Sequence, residues 1–186
     1  MRKVIGRFLA CLIIACFAFP VRASEEFNIE VGLTAPLQIP AAIISAMKRQ
    51  YKDLSCFKNA KTTLEASLTS QKIELGGGLE AYLLKPDSDD SNAGLICLCG
   101  AYLCPMWIFQ LEAGGRAKEL WSTSTANLSI LDKKTRGVRD LFESGGSAGH
   151  MECSSWKWDG RKYKISKEAY VDLSDINANI NACVRP

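Results

Sequence analysis

The chain has 186 residues, 47% of them hydrophobic and 23% charged, with a formal net charge of +3. That length and apolar content are enough for a packed core and exclude a disordered or fibrous chain. The small positive excess excludes little by itself, because it is concentrated at the N-terminus.

Met1, Arg2 and Lys3 make a basic start, and residues 8–19 form an apolar run without a charge. Pro20 breaks that run, and Val21 and Ala23 put small residues at the positions a signal peptidase reads. Residues 1–23 therefore read as a secretory signal peptide cleaved before Ser24. The run is shorter than the roughly 20 residues that span a bilayer, so no transmembrane segment is expected after cleavage. Lipidation at Cys16, within Ile13-Ile14-Ala15-Cys16, is the alternative, but the run before it is short and interrupted by Arg7. Cleavage removes Arg2, Lys3, Arg7 and Arg22 and no acid, so residues 24–186 are near neutral. Nucleic acid is thereby excluded as a partner, since its recognition needs a real positive field.

Residues 24–186 are expected to form a single periplasmic domain. Cys11 and Cys16 leave with the signal, and Cys56, Cys97, Cys99, Cys104, Cys153 and Cys183 remain. An even number in an exported chain favours disulfides over thiols. Sequence alone does not select a connectivity; the pairing adopted is Cys99–Cys104 as a local staple, Cys97–Cys153 between neighbouring strands, and Cys56–Cys183 joining the ends.

In chain order, residues 24–38 read as an extended lead-in. Pro40 suits a first helical position, and Ile43, Met47, Tyr51 and Leu54 recur at helical spacing, which predicts an amphipathic helix over 40–54. Residues 61–70 fit either a helix or a strand. From Lys72 the pattern becomes β: strands over 72–75 and 79–84 around a triple-glycine turn, a polar loop over 86–94, then strands over 95–99 and 106–111. Further strands are expected over 119–123, 127–131, 138–143, 151–158 and 162–165, with a loop at 145–149 and a short helix after Ser174. The expected fold is α+β, with the N-terminal amphipathic helix packed on a curved, mainly antiparallel, disulfide-stapled sheet.

Residues 96–109, ICLCGAYLCPMWIF, hold three cysteines and read as a strand–turn–strand at the centre of that sheet. In Trp156-Lys157-Trp158-Asp159-Gly160-Arg161-Lys162-Tyr163, the Asp-Gly pair reads as a two-residue hairpin turn. That register sets Trp158 against Arg161 and Trp156 against Tyr163. Alternation puts Trp156, Trp158 and Tyr163 on one face, either core or a platform for a sugar or a partner side chain.

Gly145-Gly146-Ser147-Ala148-Gly149 satisfies the G-x-S-x-G pattern of serine hydrolases, and His150 follows. That chemistry needs a strand, a sharp turn and a helix, with a distant His. Here a strand follows, and the chain's single His stands three residues from the serine, so a flexible loop is the better account. Cys97, Cys99, Cys104 and His150 have zinc-ligand chemistry, but export favours disulfides. No C-x-x-C pair supports thiol redox work. Asp87, Asp89 and Asp90 resemble a calcium loop in composition, yet Asn92 and Leu98 stand where the motif needs Gly and Glu. No cofactor or metal is expected.

Taken together, Glu80-Ala81-Tyr82-Leu83, Cys99-Gly100 with Cys104-Pro105 and Trp107-Ile108-Phe109, Gly137-Val138-Arg139-Asp140-Leu141, and Trp158-Asp159-Gly160 with Tyr163 form a recognisable series. It resembles a group of exported bacterial proteins of uncharacterised function that carry C-G-x3-C-P-x-W and W-D-G-x2-Y motifs. Cys97 departs from the pattern, and the resemblance implies no catalytic residue. The functional expectation is a non-enzymatic periplasmic protein that binds a protein partner, as an inhibitor or immunity protein against an enzyme acting on the cell envelope. Its candidate contacts are Asp87, Asp89, Asp90, Ser147, His150, Trp156, Trp158 and Tyr163. The alternatives are a cell-envelope hydrolase using Ser147, or an unmarked carboxylate pair, and a carbohydrate-binding module using Trp156, Trp158 and Tyr163.

Overall fold

The computed structural model of the chain describes residues 24–50, 56–57, 62–88, 93–175 and 183. The expected signal peptide, Asp89, Asp90 and the body of the expected C-terminal helix lie outside the described residues.

The described residues are mostly antiparallel β, 57% strand against 14% helix, which corrects the expected α+β class. The elements run β1 Glu25–Asn28, α1 Ala41–Gln50, a 3-10 turn Glu65–Ser67, β2 Leu68–Gly76, β3 Leu79–Pro86 and α2 Ala93–Leu98. There follow β4 Cys104–Glu112, β5 Arg116–Thr125, β6 Asn127–Thr135, β7 Val138–Ser147, β8 His150–Trp158 and β9 Tyr163–Asp172. Of the expected helix over 40–54, the described residues show α1 over Ala41–Gln50, and 51–54 lie outside them. The ten residues of α1 are too short to form a layer equal to the sheet.

Two antiparallel meanders, β2–β3–β4–β5 and β6–β7–β8–β9, make up the nine-stranded sheet together with β1, which adds to β6. They join at two corners. At one, Gly76 pairs with Val138. At the other, Ala126 alone separates β5 from β6, and Thr125 Oγ1 hydrogen-bonds the carbonyls of Asn127 and Ser144, each at 3.0 Å. Gly76 has φ +80°, and a Cβ there would sit 2.8 Å from the Gly137 carbonyl oxygen, so the first corner requires glycine.

Strand alternation sorts the side chains into layers. Ala81, Leu83, Met106, Ile108 and Trp121 of the first meander pack in one cluster with Leu128, Ile130, Leu141, Trp158 and Tyr163 of the second. The neighbours that alternate with them, Leu84, Trp107 and Phe109, point to the other side and are buried with Ile43, Met47, Phe57, Leu64 and Leu68. Arg139, itself buried, clamps the irregular β6 by donating to the carbonyls of Ile130 and Leu131 at 2.9 Å, and pairs with Glu25 of β1.

The stretch 96–109 differs from its expected form. Residues 93–98 are helical rather than a strand, and only Cys104 onward is β. The disulfides are Cys56–Cys97, Cys99–Cys104 and Cys153–Cys183. The local staple is as expected, whereas Cys97–Cys153 and Cys56–Cys183 are replaced. Helical Cys97 turns toward the α1 side of the sheet, among its second cluster, while Cys153 faces outward on β8 with Leu131, Phe142 and Val171. With all six cysteines oxidised, no zinc-binding thiolate is left at Cys97, Cys99 or Cys104. No helix among the described residues is long and apolar enough to cross a membrane.

Candidate functional site

At one end the core between the meanders changes from apolar to polar within a few residues. On β7 the inward row reads Leu141, Glu143, Gly145, and these pair with Trp156, Ser154 and Glu152 of β8. On β5 the matching row reads Trp121, Thr123, Thr125. Trp121 and Trp156 meet edge to face with ring centroids 6.0 Å apart, closing the apolar part. Beyond them lies a cleft of about 220 Å³, lined by Thr123, Ser124, Thr125, Glu143, Gly145, Glu152, Ser154, Trp156, Ile165 and Glu168 among others.

Glu143 forms its floor and is only 8% exposed. Oε1 accepts the Trp156 indole N–H at 3.1 Å. Oε2 is buried and makes no close hydrogen bond, although the hydroxyls of Ser154 and Thr123 stand near enough to act on the carboxylate. Burial pushes the carboxyl up to about 7; Trp156 and the hydroxyls of Ser154 and Thr123 oppose that rise, and nearby Glu168 adds to it. A native interior leaves few polar atoms unpaired, so an orphaned carboxylate oxygen at the floor of a cleft is a place where an incoming donor is favoured.

The cleft has a wall supplied from the Cys99–Cys104 loop. Leu103 lies against Gly145, where an added Cβ would come within 2.5 Å of the Leu103 side chain and 3.1 Å of the Ala126 backbone N–H. Gly146 is tighter still: a Cβ would fall 2.2 Å from the His150 carbonyl oxygen. These close approaches account for Gly145 and Gly146, whereas Gly149, the last glycine of the G-x-S-x-G match, has nothing within 4 Å of its Cβ position. The predicted loop over 145–149 is instead strand through Ser147, with Ala148 and Gly149 as its turn.

Ser147 and His150 face each other as the last pair of this hairpin. Ser147 Oγ lies 2.9 Å from His150 Nδ1, and His150 Nε2 lies 3.6 Å from Glu152. The single histidine, set aside above as too near in sequence, is thus within reach of the serine. Ser147 is exposed, His150 stacks on Tyr170, and neither lines the cleft.

The remaining candidates separate. Trp158 and Tyr163 are buried in the core, and Tyr163 Oη donates to the Arg139 carbonyl at 2.7 Å. They offer no platform to a sugar; only Trp156 reaches a surface recess. Their register also differs from the one expected: Trp158 pairs with Tyr163 and Trp156 with Ile165. The Asp159 carboxylate accepts the backbone N–H groups of Arg161 and Lys162 at 2.7 and 2.8 Å, which stabilises a four-residue turn over the two-residue one. Asp87 is half-buried and donates its N–H to the Ser67 carbonyl at 3.1 Å, far in the chain from the cleft strands. No group of three or more metal-ligating side chains forms among the described residues.

Glu143, the residue that best defines the site, was not a candidate from sequence. The signal was present: a carboxylate in phase with Leu141 on a strand whose alternate face is core. A larger groove of about 660 Å³ runs beside β1, but the Asn28 and Asn127 side chains on its lining hydrogen-bond each other. Comparisons with family models, curated proteins and solved structures find no match to this chain. The resemblance to exported bacterial proteins therefore rests on its motifs alone.

Proposed function

We propose that the chain is a non-enzymatic periplasmic binding protein, an inhibitor or immunity protein for an enzyme acting on the cell envelope, and that the Glu143 cleft is its recognition site. The observation that carries this reading is the buried, unpartnered Glu143 oxygen at the floor of a recess between two disulfide-stapled meanders. Rigid strands hold the recess, so little ordering opposes the docking of a partner. Three disulfides suit an oxidising compartment.

The test is capture of a periplasmic protein by the signal-free chain, followed by assay of that protein on peptidoglycan. The wild type should hold one protein stoichiometrically and lower its activity. Thr123→Phe, which fills the cleft, should release it while keeping the wild-type amide spectrum. Failure to recover any such protein, or retention by Thr123→Phe, overturns the reading.

A second reading, a hydrolase with Ser147 as nucleophile and His150 as base, draws on their 2.9 Å contact. Labelling by a fluorophosphonate that disappears in Ser147→Ala would support it. The exposure of the pair on a hairpin end favours the binding reading, because catalysis of this kind depends on a pocket that orients substrate and excludes water.

A further inference from the structure

Resting on the cleft as the recognition site, we infer that its occupant is a basic side chain of the partner protein, delivering a guanidinium or ammonium group to Glu143. Three features of the recess specify this chemistry. Its charged lining residues are all acidic, Glu143 on the floor with Glu152 from β8 and Glu168 from β9, and no Lys, Arg or His lines it among the described residues. The floor carboxylate is more than nine-tenths buried, with Oε1 bonded to the Trp156 indole and Oε2 without a close hydrogen bond, so a charged donor there supplies what the nearby hydroxyls of Ser154 and Thr123 supply only weakly. The walls combine the Trp156 ring, Leu103 and Ile165 with the hydroxyls of Thr123, Ser124 and Ser154, apolar surface for a methylene stem and acceptors for its head.

Size points the same way. A recess of about 220 Å³ lies below the roughly 300–1,000 Å³ of small-molecule pockets and suits one side chain. A bare metal ion fits less well, since the carboxylates do not converge into a ligating group among the described residues.

Occupancy is coupled to a proton. The cation needs the ionised form of Glu143, whose carboxyl titrates near 7. Among the groups around that carboxyl, Glu168 on β9 raises its pKa further, Trp156 and Ser154 of β8 and Thr123 of β5 lower it, and Glu152 on β8 faces His150 at 3.6 Å. Affinity therefore rises with pH through neutrality, and bound cation lowers the pH at which Glu143 ionises.

The Trp156 indole N–H donates to Glu143, so its cross-peak in a ¹⁵N-labelled sample reports the site directly. The probes are Nα-acetyl-arginine methylamide and Nα-acetyl-lysine methylamide, with Nα-acetyl-citrulline methylamide as the uncharged control. Both cationic probes should move the peak saturably at pH 8, bind about thirtyfold more weakly at pH 5.5 from the ratio of ionised fractions, and have no effect on Glu143→Gln. An unmoved peak, an equal response to the citrulline probe, or the same affinity at both pH values in the wild type overturns the inference, whether or not the variant folds. Probe binding without a captured protein would overturn only the partner reading; a captured partner without probe binding would overturn only the basic side chain.

Discussion

The β7–β8 hairpin carries two acid–base groupings a few residues apart, and they differ in almost every physical respect. At its tip, Ser147 and His150 make a 2.9 Å contact in the open. Toward its middle, Glu143 sits beneath Trp156, walled by β5 and the Cys99–Cys104 loop. The tip has the recognisable motif and a histidine; the middle has neither. Burial acts strongly on the middle, lifting a carboxyl from 4.5 to about 7 and leaving Oε2 without a close hydrogen bond. The contrast follows from desolvation, not from a short pattern, since water competes for the hydrogen bonds at the tip.

The strongest way to break this contrast is to titrate it. In the folded state Glu143 holds its proton up to about 7, whereas the unfolded chain releases it near 4.5. The raised value means that its contribution is most favourable below pH 4.5 and is lost as pH rises through 7. The shift corresponds to about 3 kcal/mol. Glu143→Gln keeps the shape without the charge, so urea melts should show it matching the wild type at pH 4 and exceeding it by about 3 kcal/mol at pH 8. A difference independent of pH would place the carboxylate in water and remove the contrast.

The hairpin glycines give a somewhat smaller effect. Gly146→Ala drives a Cβ to 2.2 Å from the His150 carbonyl oxygen, against backbone that cannot swing aside. It should cost about 2–3 kcal/mol in thermal melts. Gly149→Ala, with nothing within 4 Å of its Cβ, should cost much less. Equal losses would return the G-x-S-x-G glycines to the role of flexible loop.

Opening the wall of the cleft separates the two regions differently. The Cys99–Cys104 bridge spans a sequence separation of 5, a small loop, so replacing both residues with Ala should cost about 2 kcal/mol. It should also free Leu103 from Gly145 and shift the amide peaks of Gly145 and Ser154 while leaving those of Ser147 and His150 in place. Movement of all four would show the hairpin responding as one unit.

How much of this was legible beforehand divides along local and non-local lines. The strands from Lys72 onward were readable because glycine turns and period-2 alternation are local, and the Gly77-Gly78 turn stands where its residues place it. Residues 95–98 were misread because a short apolar run fits a strand and a helix equally. The Asp159 turn was misread by counting only glycine's φ tolerance and omitting the carboxylate that caps Arg161 and Lys162. Two disulfides and the cleft depend on which strands of the two meanders the fold brings together. Nothing near Glu143 in sequence names Thr123 or Glu168 as its neighbours, so the site emerges only once β5 and β9 are folded against β7 and β8.

The smallest expected effect bears on the tip itself. Ser147→Ala and His150→Ala each remove one side of a solvent-exposed hydrogen bond, and each should change stability by no more than about 0.5 kcal/mol. The double variant closes a thermodynamic cycle, and its coupling should be similarly small, because water replaces whatever partner is lost. A coupling above about 1.5 kcal/mol would mean that the pair is held against solvent, with Glu152 at 3.6 Å fixing the imidazole and Tyr170 shielding it. In that event the tip would have the preorganisation that now distinguishes the cleft, and fluorophosphonate labelling of Ser147 would become the expected result.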